Sequence, residues 1–85
     1  MGKKTQGRRV HPNEDGMLNL EPADYGKHPN GNWMAMCPDG HLGNLANHDV
    51  TEYDDGTITV SPSILIKAHD GKWHGFLRAG VWEEC

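Results

Sequence analysis

Large apolar side chains are scarce in this sequence. Only 35% of its 85 residues are hydrophobic, and the large aromatics are Phe76, Tyr25, Tyr53 and three tryptophans. A chain of this size holds one domain and buries a modest share of its surface, so a core around Trp33, Trp73 and Trp82 is small and gains from a staple. No apolar run approaches the length of a membrane span, and the start MGKKTQGRRV lacks the apolar stretch of a secretory signal. Helical periodicity is missing too: the nearest candidate, 42–46, contains Gly43 and Asn44 and suits a single turn. There is no internal repeat, no glycine-rich phosphate loop after a strand, no nucleophile elbow and no pair of histidines four apart on a helix.

Basic charge is scarce outside the first nine residues. Lys3, Lys4, Arg8 and Arg9 are half of the eight basic side chains, and all twelve acidic ones follow them. The body therefore repels a phosphate backbone, and any nucleic-acid contact falls to this N-terminal arm. Charged, glycine-containing ends of this kind otherwise stay unordered and add solubility. On that reading, deletion of residues 1–9 leaves the fold intact.

Glycine and proline are plentiful, with 16 between them, and they punctuate the chain. Residues 1–31 carry Pro12, Pro22 and Pro29, and their one apolar cluster is Met17, Leu18 and Leu20. This part reads as loop and tail with one short strand at most, around 17–20. From Trp33 the pattern changes, with a short strand over 32–36 that ends at the turn Cys37-Pro38-Asp39-Gly40. Alternating β-branched segments at 48–53 and 57–61 flank Asp54-Asp55-Gly56, a strong hairpin signal. Asp54 and Asp55 are there for turn chemistry rather than as an acid–base pair. Pro62 has no N–H for a ladder and marks an edge or a bulge before Ile64-Leu65-Ile66. Turns at 69–72 and 79–80 lead into two more strands. The expected fold is mainly β: a small antiparallel meander of about four to six short strands over 32–85, preceded by a flexible or loop-rich region over 1–31 with the basic arm at 1–9.

Cys37 and His41 form a Cys-x3-His pair on a tight glycine-containing turn, which is how a knuckle presents two ligands to one ion. Zinc takes such S and N donors in tetrahedral geometry. Further ligands must come from His74, preferred as third, and from His48 or Cys85 as fourth. The alternatives are a Cys37–Cys85 disulfide, disfavoured without an export signal, and free thiols beside ordinary histidines. His11, His28 and His69 sit among turn residues and read as surface groups.

The blocks Cys-Pro-Asp-Gly-His, Asn47-His48, Gly56-Thr57-Ile58-Thr59-Val60-Ser61-Pro62-Ser63-Ile64 and Trp73-His74-Gly75-Phe76-Leu77 with Gly80-Val81-Trp82 resemble a family of short phage- and prophage-encoded proteins, a domain of unknown function. Members are similar in having a Cys-Pro-x-Cys-Gly knuckle, a Pro-Ser-(Ile/Leu) strand and a Cys-His or Trp-His segment before a final hairpin. The resemblance implies a zinc-ribbon-like site and no activity. It is incomplete: the second knuckle cysteine is absent here, with His41 just beyond its place, and Trp73 stands where relatives often have cysteine. A retained metal needs His41 plus a further histidine or Cys85.

Three functions are weighed on this basis. The first is a non-enzymatic phage accessory protein that binds a macromolecule such as a host factor, in the cytoplasm of an infected cell or on the virion. The second is a nucleic-acid-binding module that uses Lys3, Lys4, Arg8 and Arg9. The third is a metal-dependent hydrolase with a histidine-bound water.

Overall fold

A computed structural model describes residues 3–85, so the first two positions of the basic arm lie outside the described residues. Among the described residues nine strands form two sheets: β1 (Lys4–Gln6), β2 (Arg8–Arg9), β3 (Asp24–Lys27), β4 (Trp33–Met36), β5 (Leu42–Asn44), β6 (Asp49–Glu52), β7 (Ile58–Ala68), β8 (Gly71–Arg78) and β9 (Val81–Glu84). The five-stranded sheet has the order β1-β9-β8-β7-β6, and the four-stranded sheet the order β2-β3-β4-β5. The expected meander is the antiparallel run β6 to β9, closed at one edge by β1. Residues 32–85 hold six strands, within the four to six expected, and the N-terminal third adds three more.

The meander follows from its residues. In β7, Ile58, Val60, Ile64 and Ile66 are buried while their neighbours face outward, as a strand with one solvated face requires. At Pro62 the β6 pairing has just ended at Ser61, and the β8 register shifts between Val60 and Ile64. The proline marks the irregularity its missing N–H demands. In β8, Trp73 and Leu77 point inward and His74 points outward. The tight loop into β9 places Ala79 and Gly80 at φ 48° and 81°, the paired positive values of a type I′ hairpin.

The four-stranded sheet packs across this face. Tyr25, Ala35, Cys37 and Leu45 are buried against Ile58, Val60, Ile64, Ile66, Trp73, Leu77 and Trp82 in one cluster. The sheets come so close at β5 that a Cβ on Gly43 would lie 2.9 Å from the Ile66 side chain. Trp82 is fully buried, stands edge-on to Trp73 at 5.3 Å, and donates its indole N–H to the Ala23 carbonyl at 2.9 Å. One side chain thus joins both sheets and satisfies its own polar atom.

The N-terminal region differs from the loop and tail expected of it. β1 pairs with β9, and β2 runs parallel to β3. Arg8 forks onto the buried Asp24 at 3.2 and 3.0 Å, a bidentate pair that satisfies a carboxylate held away from water. Arg9 bonds Glu52 at 2.7 Å and the Gly56 carbonyl at 3.1 Å while its guanidinium covers the Trp33 ring at 4.8 Å. Trp33 is therefore half-buried beneath a cation rather than inside the core. Segment 42–46 holds strand β5 instead of a helical turn, and 17–20 holds no strand; Leu18 covers Gly26 of β3.

Candidate metal centre

Four turns among the described residues, at 13–17, 28–32, 37–41 and 53–57, share one backbone hydrogen-bond pattern, and the last three also share a side-chain bond. At 28–32, 37–41 and 53–57, the glycine N–H bonds the carbonyl three residues back, and the first N–H bonds the carbonyl four residues ahead. Gly31, Gly40 and Gly56 have φ of 95°, 96° and 89°, the positive value that a three-residue hairpin loop assigns to glycine. The residue before each glycine is Asn or Asp, and its side-chain oxygen accepts the N–H two residues on: Asn32 to Asn30 at 2.9 Å, His41 to Asp39 at 3.3 Å, Thr57 to Asp55 at 3.0 Å. Asp39 therefore has a turn-building role that Asn30 and Asp55 share. At 53–57 the side chain after the glycine also turns back, with the Thr57 hydroxyl donating to Asp55 at 2.7 Å.

What singles out turn 37–41 is the chemistry at its ends. The Cys37 thiol donates to Asp39 Oδ1 at 2.5 Å, and His41 Nδ1 lies 3.0 Å from the same oxygen. One ligand atom from each of Cys37, Asp39 and His41 lies within 4.8 Å of the others, so the group could hold a metal ion. The far ring nitrogen of His41 meets Asp70 Oδ1 at 2.9 Å, and Asp70 belongs to the β7–β8 turn of the other sheet.

The local field fits a cation. Burial and the hydrogen bond to Asp39 push the buried Cys37 thiol up to about 11, so without a counter-cation it stays protonated. Burial works against the Asp39 carboxylate, but hydrogen bonds from Cys37 and His41 outweigh it and hold its pKa below the ordinary value. Asp70 is the main cause that raises the His41 pKa, with Asp39 adding to it against some desolvation. A divalent ion would replace the Cys37 thiol proton and any proton on His41 Nδ1.

The other ligands named from sequence are elsewhere. His74 faces outward from β8 and its Nε2 meets the Ser63 hydroxyl at 2.9 Å, while His48 Nε2–H donates to the Ser63 carbonyl at 3.2 Å. The two histidines thus meet at Ser63, and the strand alternation that buries Trp73 turns His74 away from the core. Cys85 is exposed, with its backbone N–H on the His74 carbonyl at 3.0 Å. Both cysteines are free, so no Cys37–Cys85 disulfide forms. Trp73 instead shares a crevice of about 150 Å³ with Asp39, Pro38, Lys3, Thr5 and Glu84. Sequence reasoning passed over Asp39 and Asp70. The first was findable from the recurrent Asx-Gly turns, whereas the second lies 29 residues from His41 and left no local trace.

A second surface borders the knuckle, because Met36 and Leu42 pair at the base of turn 37–41. The outer face of the four-stranded sheet carries a cleft of about 440 Å³ lined by Leu18, Leu20, His28, Met34, Met36 and Leu42. Leu42 is 53% exposed at its rim. Among the described residues no helix is long and apolar enough to cross a membrane. Compared with known proteins, the chain matches no family model, no curated protein and no solved structure.

Proposed function

We propose that this chain is a non-enzymatic binding protein, of the phage-accessory kind that the resemblance implies, and that a single zinc ion at the 37–41 knuckle stabilises it. The carrying observation is the cleft on the four-stranded sheet: methionines and leucines half open to water on a chain short of apolar residues. Adaptable Met side chains beside an exposed Leu suit a macromolecular partner such as a host factor, met in the cytoplasm of an infected cell or on the virion. The arm supports a nucleic-acid partner less well, because Arg8 and Arg9 are engaged by Asp24 and Glu52, leaving Lys3 and Lys4 as the arm's other cations. A pull-down from host lysate with wild type and Leu42→Glu tests the reading. A partner lost on substitution supports it, and equal recovery by both would place binding elsewhere.

Zinc is the metal of choice for a thiolate, an imidazole and a carboxylate together. The count of three protein donors favours one second reading, a metal-dependent hydrolase in which a water takes the fourth position beside the crevice that holds Glu84 and Lys3. Zinc-loaded protein that leaves ester and phosphodiester substrates intact while Leu42→Glu abolishes partner capture would decide for binding.

A further inference from the structure

The turn at 37–41 needs only one end of the His41 ring, as Thr57 shows by completing the equivalent turn with a single hydroxyl. The other end reaches 2.9 Å to Asp70, across the gap between the two sheets. The hydrogen bonds within the turn do not depend on this contact. It has a defined consequence for a metal. A neutral imidazole carries one N–H, and an ion among Cys37, Asp39 and His41 needs that proton on Nε2 so that the Nδ1 lone pair faces Cys37 and Asp39. With the proton on Nδ1, the ring would donate to Asp39 and close the site.

Resting on the zinc reading above, we infer that Asp70 is a positioning residue of the metal centre: it holds the His41 proton on Nε2 and turns Nδ1 toward the ion, so that metal binding ties the knuckle to the β7–β8 turn. Metal-binding histidines recurrently give their second N–H to a carboxylate in this way. The charges balance. Before binding, the group holds a neutral thiol, the His41 ring and the Asp39 and Asp70 carboxylates. On binding, the Cys37 Sγ–H proton and any proton on His41 Nδ1 leave to solvent, and the thiolate and the Asp39 carboxylate neutralise a divalent cation.

Cobalt(II) is the probe, added to the full chain freed of metal by chelator, with the thiolate-to-cobalt charge-transfer band as readout. Wild type is expected to develop the band at one equivalent and Cys37→Ser to lack it. Asp70→Ala should bind about 10- to 100-fold more weakly, and Asp70→Asn, which keeps a carbonyl acceptor, should recover part of the loss. Asp70 is 66% exposed, so the metal-free melts of both variants should stay cooperative and lie close to that of wild type. A wild type without the band overturns the metal reading as a whole. A wild type with the band and an Asp70→Ala of equal affinity overturns the role of Asp70 alone, as does a loss no larger than the loss of folded protein.

Discussion

Turn 37–41 and turn 53–57 have the same backbone path, the same glycine position and the same Asx hydrogen bond, yet only the first can do metal chemistry. Turn 53–57 is flanked by Tyr53 and Thr57, which leave its Asp55 a turn residue and nothing more. Turn 37–41 replaces them with Cys and His, and the same convergence becomes a candidate ligand set. Each turn is also held by the opposite sheet: Arg9 of β2 donates to the Gly56 carbonyl, and Asp70 of the β7–β8 turn meets His41. A generic loop thus supplies convergence, and two flanking residues supply the chemistry.

The largest test of this comparison removes one of the two braces. Deleting residues 1–9 takes away β1, β2, the Arg8 partner of buried Asp24 and the Arg9 contact with turn 53–57. Contrary to the expectation from sequence, the shortened chain should lose its cooperative thermal transition, because a buried carboxylate is left unpaired and Trp33 is uncovered. A melt indistinguishable from full length would show that β1 and β2 merely decorate the two sheets.

Next in size is zinc. At a free concentration about a hundredfold above the dissociation constant, an ion bound only by the folded state adds about 2.7 kcal/mol, or a melting-temperature rise of roughly 10–20 °C. Cys37→Ser should abolish the rise and Asp55→Ala should leave it whole, which assigns the effect to one of two equivalent turns. A rise that survives Cys37→Ser would separate zinc from the knuckle.

Smaller again are the glycines, where the two turns should behave alike. Valine at either Gly40 or Gly56 must adopt a positive φ that costs about 1–3 kcal/mol, read as denaturant midpoints in chelator. Gly56→Val should lie at the upper end, because a Cβ there already sits in ordinary contact with the Arg9 Cγ at 3.7 Å and the γ-methyls of valine extend beyond it, whereas Gly40 has open space. Gly40→Val as costly as Gly56→Val would mean that the Arg9 contact adds nothing.

The two sheets differ in how far they could be read from the sequence. The meander was legible because its strands are long or β-branched, alternate cleanly and are joined by Asp-Gly and Ala-Gly turns, all of which are local signals. The strands β1, β2 and β3 are two to four residues of KTQ, RR and DYGK, with no period to detect. β1 takes its partners from residues 81–83 at the far end of the chain. The knuckle was half legible for the same reason: the Cys37–His41 spacing is local, but placing His74 required knowing that the Trp33 strand lies in the other sheet.

The finest contrast is in pH, where the two turns should respond in opposite directions in metal-free protein. Hydrogen bonds from the Thr57 hydroxyl and backbone hold the Asp55 pKa below its ordinary value of 3.8. The stability this brings is present above that value and is lost as pH falls through the lower, folded one. His41 is raised above its ordinary 6.5, first by Asp70. Its contribution is complete below about that pH and is lost as pH rises through the higher folded value. Both groups are exposed to screening, so the changes are small. Denaturant midpoints between pH 3 and 8, with chelator present, should therefore lose a small low-pH component in Asp55→Asn and a small near-neutral component in Asp70→Asn. If Asp70→Asn keeps the wild-type slope above pH 6.5, the His41–Asp70 contact does not bear on the stability of the metal-free fold, and turn 37–41 is braced only when a metal is bound.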